Sequence, residues 1–503
     1  MFQKSSAQIS LLSTDRSKLF FLVVLAFFAR IWLIYYLPLI KDEILYAENI
    51  HSQISAPSFG LHFLGQLATW KPPLFFLVYA PLVALLQYLP IGFEAVYRLP
   101  TVLFGMINIL LVYRFLRNIS EDKNIAFYTS LIYSMVFLTV YVDSTVLIDT
   151  FNLTLILCAL CLYTQSSKGS WKYLLAGAVT MLAFFTKLWF AMLVPVLALA
   201  FMYRERRKDL FDSNFLVSLL ALPLAAILYF VWSSGTSAQD VTPFQVLYDR
   251  VFVDGLSANQ LLGALHGFFM PANIWIGVGL FGFFRFWKDK PVMTVWAVVS
   301  LIPLIAGYCL PWYSLPAMVP LAYFSCLLLL KFDRSVKPDA FFIIVLTILI
   351  VAGYMLGFFI WEKYLYDKYE GSREAGTMLA FKDNIAIIGK WDPTLAGYKF
   401  LNERRSRGDY LDFGWIVLGD SSLNISLQMI ADNYQSMGNF DNNFMCLYMN
   451  TSSLSCNYRR TSNVTRPEYV AVVGYENQTL IGFEILFNKS DIKIFKRLAA
   501  NRT

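Results

Sequence analysis

The sequence predicts a polytopic α-helical membrane protein of about eleven spans, with juxtamembrane helices in its first external loop and a small C-terminal α/β domain. Three observations carry that expectation. Of 503 residues, 57% are hydrophobic and 15% charged, against about 45–50% and about 25% in soluble domains. The apolar residues fall into runs of roughly bilayer length, ~20 residues, punctuated by Lys/Arg clusters. After residue 361 the chain changes to a polar, Asn-rich composition. A mean hydropathy of +0.55 excludes a soluble cytosolic enzyme, a disordered chain and a small secreted scaffold. The net charge of +7 says less than its distribution, because basic residues mark cytoplasmic loops. No nucleic-acid partner is read from it.

Lys4, Arg16 and Lys18 lie before or at the start of the run 19–39, which places the N-terminus inside and the first exit near Ile40. No small-residue cleavage site follows a short apolar core, so this run reads as an anchor. Arg114, Arg117 and Lys123 follow 97–113, which must therefore return to the inside. A crossing at 72–89 would put those three cations outside. That segment reads instead as a helix lying in the outer interface or re-entering, and 40–96 becomes one long external segment. Runs 124–141 and 150–164 then pair around an outer turn bearing Asp143 and Asp149, and 172–187 and 188–203 lead back to Arg204, Arg206, Arg207 and Lys208. Run 214–232 exits to a polar loop, 233–268. Run 269–284 returns to Arg285, Lys288 and Lys290, 292–310 exits, 314–330 returns to Lys331, Arg334 and Lys337, and 340–361 exits last. The expected organisation is a transmembrane domain, 1–361, and an extracytoplasmic domain, 362–503, in a multi-pass plasma-membrane protein.

The tail carries short apolar strands at Ile385–Ile388, Trp415–Leu418 and Tyr469–Val473 between helical stretches. Its Asn-x-Ser/Thr sites are Asn424, Asn450, Asn463, Asn477, Asn488 and Asn501. With a Ser/Thr frequency of roughly 0.13, about two such sites would arise by chance, so the excess points to an N-glycosylating cell surface. Cys158, Cys161, Cys309 and Cys326 fall in spans, leaving Cys446 and Cys456 in the tail. These two are expected to form a disulfide, worth ~2–3 kcal/mol for so short a loop; two free thiols are the alternative.

Charged groups at outer span ends are the informative residues, since placing them near hydrocarbon is unfavourable without a reason. They are Asp42, Glu43, Lys71, Arg98, Asp143, Asp149, Lys187, Arg250 and His266. Singly, each has a structural reading: Asp42 and Glu43 as polar residues capping an interfacial helix, Lys71 snorkelling to headgroups. Jointly they suit an anionic lipid headgroup plus acid–base chemistry. A phosphate needs fixed positive charge, and an attacking hydroxyl needs a carboxylate to take its proton.

These residues fall in motifs that resemble a family. Asp42-Glu43-Ile44-Leu45-Tyr46-Ala47 is similar to the acidic motif opening the first external loop of protein O-mannosyltransferases and lipid A aminoarabinose transferases. Trp70-Lys71-Pro72-Pro73-Leu74 resembles their Lys-Pro-Pro-Leu, and Tyr97-Arg98-Leu99-Pro100-Thr101 their Arg-x-Pro-Ser. Leu147-Ile148-Asp149-Thr150 is similar to the Asp at the turn between the third and fourth spans, Ala183-Phe184-Phe185-Thr186-Lys187 to Leu-Thr-Lys, and Tyr313-Ser314-Leu315-Pro316 to Tyr-x-Leu-Pro. Arg250 and His266 fall where the family has an Arg-Phe and a His before an aromatic span.

The resemblance implies the GT-C membrane glycosyltransferase architecture and a donor sugar on a polyprenyl or dolichyl phosphate, transferred with inversion. It implies Asp42 as general base, Glu43 positioning sugar or acceptor, and Asp149 shaping the site. It makes Lys71 and Arg98 the groups that hold the leaving phosphate, with His266 and Tyr313 as further candidates and Tyr46, Asp143, Lys187 and Arg250 as other site residues. Trp70 stands where the aminoarabinose branch has the acidic partner of a metal-binding His, so a divalent metal at His266 is left open and no other cofactor is implied. The acceptor is an extracytoplasmic glycoprotein, glycan or lipid. A lipid-linked oligosaccharide transferase is disfavoured because the tail has no Trp-Trp-Asp. The alternative from another class is a flippase of polyprenyl-linked sugars, which would place polar groups at mid-membrane on broken helices.

Overall fold

The structure, a computed structural model, describes residues 15–36, 39, 41–55, 74–120, 122–187, 190–234, 274–306, 311–332, 338–362, 367–379, 385–389, 414–417, 469–473, 483–489 and 492–498. The chain divides into two compact units, Met1–Leu37 with Ser52–Trp361, and Pro38–His51 with Glu362–Thr503. This division differs from a simple cut at 361/362, because the stretch after the first helix groups with the tail.

In the first unit, α1 (Asp15–Tyr36) has 22 residues, about 33 Å of helix at ~1.5 Å per residue. Only 28% of its apolar window is buried. Phe20, Phe28 and Trp32 stand exposed, as side chains facing lipid would. α2 (Lys41–Ser55) runs across the division between the units. α3 (Leu74–Leu86) has 13 residues with Pro81 inside, ~20 Å at the same rise and shorter than a ~30 Å hydrocarbon core.

α4 (Phe93–Ser120) is the central element, packed against α1, α5 and α7. α5 (Lys123–Met135) begins on an Asp122 cap, whose Oδ1 accepts from the Asn124 and Ile125 amides. α5 and α6 (Phe137–Asp143) meet at Val136 with a bend of 66°. α7 (Ile148–Gln165) is 78% buried and packs on α8 (Lys172–Phe184).

There follow α9 (Leu193–Glu205), α10 (Ser213–Leu219), α11 (Ala221–Ser234), α12 (Ile274–Phe286) and α13 (Pro291–Ala306). A 3₁₀ turn at Pro311–Ala317 leads into α14 (Met318–Phe332), and α15 (Pro338–Trp361) closes the unit. α15 lies so close to α6 that a Cβ on Gly357 would sit 2.6 Å from Phe137 Cβ; a side chain there would separate the helices. Among the described residues, four helices are long and apolar enough to cross a membrane, or five if α5–α6 is one span. Six further apolar helices are shorter. The protein is mostly helical and multi-pass.

In the second unit, α16 (Asp367–Leu379) precedes β1 (Ile385–Gly389), β2 (Gly414–Val417), β3 (Tyr469–Val473), β4 (Phe483–Lys489) and β5 (Ile492–Arg497). The sheet order is β2-β1-β3-β5-β4. The first three strands are parallel, with Ile387 opposite both Trp415 and Ala471. β5 pairs antiparallel with β3 and β4, with a register shift between Ile485 and Phe487. The parallel strands are short β-branched runs suited to a covered sheet. β4 is an edge, and its Glu484, Ile485 and Asn488 are exposed.

Candidate functional site

Two buried ion pairs sit where α6, α7 and α8 end, level with the middle of α4. The end of α6 and the start of α7 are joined by the short turn 144–147, so Asp143 and Asp149 are brought to the same end. α8 runs back toward that end, and Lys187 follows its last turn. Lys187 Nζ meets Asp149 Oδ1 at 2.5 Å, with the side chains 8% and 2% exposed. The ammonium also lies 3.7 Å from the Tyr313 ring centroid and 4.6 Å from that of Phe190. A desolvated cation over aromatic faces is worth ~2 kcal/mol or more, so the two rings and the carboxylate together hold this amine in place. Asp149 Oδ2 is buried and has no hydrogen-bond partner among the described residues.

The second pair joins Asp143 to Arg30 of α1. Arg30 Nη2 and Nε donate to Asp143 Oδ2 at 2.7 and 3.0 Å, and both residues are fully buried. Arg30 Nη1 donates to Ala26 O and to Ser134 O, at 3.1 and 3.0 Å. Ser134 lies just before the break at Val136, where the helical hydrogen-bond ladder is interrupted. A guanidinium with five N–H groups suits this place, because an unsatisfied carbonyl in an apolar interior costs several kcal/mol.

α4 approaches the carboxylate closely. A Cβ on Gly105 would lie 2.6 Å from Asp143 Cγ and Oδ2, so only glycine fits. Sequence reading passes over Arg30; the signal was a lone charge in an otherwise apolar run, which by itself marks a functional position in a membrane helix.

The other expected site residues are distributed as follows. Arg98 is fully buried on α4 and donates from Nη1 to Ile34 O at 3.0 Å. Asp42 is in the first turn of α2, and Glu43 and Tyr46 lie one turn apart on its buried face. Lys71, Arg250, His266, Cys446, Cys456, Asn424, Asn450, Asn463, Asn477 and Asn501 lie outside the described residues. The Leu74 amide, three residues after Lys71, donates to Phe185 O at 3.3 Å. The Lys-Pro-Pro-Leu and Thr-Lys segments are thus tied together. Among the described residues no group of three or more His, Cys, Asp or Glu side chains is placed to hold a metal ion.

The arrangement is a buried amine between a carboxylate and two aromatic rings, beside a second carboxylate neutralised by a guanidinium.

The profile of the family described as dolichyl-phosphate-mannose-protein mannosyltransferase matches residues 71–232, which include Lys71, Arg98, Asp143, Asp149 and Lys187. The undecaprenyl phosphate-α-4-amino-4-deoxy-L-arabinose arabinosyl transferase of Photorhabdus laumondii subsp. laumondii is 27% identical over 259 residues, 45% of this chain and 44% of that protein. The matched region thus spans less than half the length of that relative. The crystal structure of ArnT from Cupriavidus metallidurans in the apo state shares the fold, with a TM-score of 0.56 and 12% identity over 94% of this chain and 97% of that one. The oligosaccharyltransferase of Archaeoglobus fulgidus follows at a TM-score of 0.49 and 13% identity, covering 91% and 69%; that likeness is too weak to carry an argument. The resemblance to the GT-C membrane glycosyltransferases read from the motifs is matched by the family profile, the relative and the fold of ArnT.

Proposed function

We propose that the protein is an integral membrane glycosyltransferase that moves one sugar from a polyprenyl or dolichyl phosphate to an extracytoplasmic glycoprotein, glycan or lipid. The observation that carries this reading is the convergence of segments distant in sequence: Lys187 bound to Asp149 beneath Tyr313, with the segment after Lys71 hydrogen-bonded to Phe185. The names of the matched family and relative, a dolichyl-phosphate mannose enzyme and an undecaprenyl phosphate arabinose enzyme, support a sugar on a lipid phosphate as donor.

In the reaction the acceptor hydroxyl oxygen attacks the anomeric carbon as the carbon–oxygen bond to the phosphate breaks, inverting the centre. The hydroxyl proton passes to a carboxylate, assigned on its motif to Asp42. The lipid phosphate leaves as an anion, and Lys71 and Arg98, with Tyr313 and His266, meet its charge. Fixed cations favour this step because they compensate charge that develops as the bond breaks. Asp149 keeps Lys187 in place, and Glu43 positions sugar or acceptor.

The topology adopted with this reading has about eleven spans, a cytoplasmic N-terminus and an extracytoplasmic domain at 362–503, in the plasma membrane. The ion pairs lie at the ends of α6 and α7 remote from Arg114, Arg117, Arg204 and Lys331, level with the middle of α4, which supports a site reached from the outer side.

The test is transfer by purified protein in detergent from a panel of short polyprenyl-phosphate sugars, with membrane extract as acceptor. Wild type moves label and Asp42→Asn does not, while both retain donor lipid. Near-normal transfer by Asp42→Asn would move the base elsewhere. One observation favours the flippase alternative: the span broken at Val136 around a buried charge pair, a device common in transporters. Tight binding of polyprenyl phosphate without transfer from any donor would select it.

A further inference from the structure

We infer that Arg30 and Asp143 are positioning residues that, through Thr150, fix the geometry of the Lys187–Asp149 pair. This rests on the reading above in placing that pair at the reaction site.

The argument follows the hydrogen bonds. Asp143 divides its two oxygens: Oδ2 accepts both Arg30 donors, while Oδ1 accepts Thr150 Oγ1 at 3.0 Å. Thr150 is the residue next to Asp149. Its own carbonyl accepts from Asn108 Nδ2 of α4 at 3.0 Å. One turn along α7 from Asp149, Asn152 Nδ2 donates to Ala183 O at 2.7 Å, and the Lys187 amide donates to the same carbonyl at 2.9 Å. Both members of the Lys187–Asp149 pair are therefore referenced to a single network. Asp149 is set by the turn that Asp143 and Asn108 hold, and Lys187 by a carbonyl pinned to α7.

Arg30 anchors the network's far end. It closes the break between α5 and α6 at Ser134 O, and its own carbonyl lies 3.3 Å from Ser144 Oγ, which donates to Val140 O at 2.7 Å. An apolar pair of the same shape would hold three helices together equally well, since buried ion pairs are commonly replaceable without loss of stability. What an apolar pair lacks is the side-chain acceptor at 3.0 Å for Thr150, whose hydroxyl would be left with Val142 O at 3.3 Å. The carboxylate is thus explained by direction rather than by cohesion.

Thr150→Val removes the link while leaving both ion pairs intact, and Arg30→Met/Asp143→Leu removes the pair while keeping its volume. Two readouts are taken on the full-length protein in detergent. One is sugar transfer resolved into kcat and donor KM. The other is the rate at which Lys187 is methylated by formaldehyde and borohydride, followed by mass spectrometry and independent of any sugar substrate. In both variants we expect a folded protein whose kcat falls roughly tenfold or more at near-constant KM, with Lys187 modified faster than in wild type. Unchanged kcat and unchanged Lys187 reactivity overturn the inference. So does a loss of kcat with unchanged Lys187 reactivity, because the effect then bypasses the pair. Altered Lys187 reactivity in a protein whose wild type transfers no sugar sustains the positioning role and refutes the transferase reading.

Discussion

Gly105 offers a sharp test of how tightly the Asp143 carboxylate is enclosed. In an ordinary helix, Gly→Ala stabilises by ~1 kcal/mol through propensity alone. Here a Cβ would meet Asp143 Cγ and Oδ2 at 2.6 Å and Cβ at 2.8 Å, about 1 Å inside ordinary contact. Relief requires either that α4 move away, an overpacking strain of ~1–3 kcal/mol, or that the carboxylate swing off Arg30, which leaves a buried guanidinium unpaired at ~3–5 kcal/mol. The chain takes the smaller penalty, so the contact should cost ~1–3 kcal/mol against the ~1 kcal/mol propensity gain.

The two contributions separate in a double-mutant cycle. In an Asp143→Gly background no atom of that side chain remains, and Gly105→Ala should show the propensity gain alone. Equilibrium unfolding in mixed detergent micelles, with reversibility checked by refolding, measures both arms. A coupling of ~1–3 kcal/mol is expected, and one below ~0.5 kcal/mol would show that α4 does not press on the carboxylate.

Further expectations follow from other residues. Lys187→Met leaves the Asp149 carboxylate buried without its Lys187 partner, so it should destabilise by ~3–5 kcal/mol and abolish transfer; Tyr313→Leu should retain the ion pair and lose only the ~2 kcal/mol of the ring contact. Asp212 caps α10 through the Asn214 and Phe215 amides and also accepts the Gly169 amide. Burial pushes its carboxyl up, but those three N–H groups and the Lys168 charge outweigh it and hold the carboxyl below the ordinary carboxylate value. Its stabilisation is therefore complete above about pH 4 and lost as pH falls further, and Asp212→Ala should remove ~1–2 kcal/mol at neutral pH and flatten the acid limb of a melting-versus-pH curve. Asn488 is exposed on the edge strand β4; if it carries a glycan in the native host, Asn488→Gln should shift the band in a gel, and an unchanged band would exclude that site.

The apolar helices are legible in the sequence because hydropathy is a sum over ~20 residues and tolerates local exceptions. Lys187 and Asp149 are legible as candidates because each sits in a short motif beside a helix end. Their mutual contact is not, since nothing in the chain's order states that residue 187 returns to residue 149. Arg30 is a harder case. Its charge is plain in the run 19–39, but its partner lies 113 positions away, and only the break at Val136 explains why it also reaches Ser134 O. β4 and β5 escape a reading based on apolar tetrads: β4 is an exposed edge whose inward and outward faces are disturbed by the shift at Ile485/Phe487, and β5 alternates Ile492, Ile494 with lysines.

The distance along the chain between Arg30 and Asp143 also bears on biogenesis. An arginine in a spanning helix raises the free energy of membrane insertion by ~2.5–3.5 kcal/mol at the centre, less toward the ends. The carboxylate that neutralises it is made 113 residues later, ~6–23 s at ribosomal rates of ~5–20 residues per second. During that interval α1 is a helix with an unmatched charge, held by its snorkelling side chain, by water, or by the insertion machinery itself. The first helix thus becomes a settled membrane helix only when the sixth is delivered, which makes the order of synthesis, as well as the final contacts, a condition for building this protein.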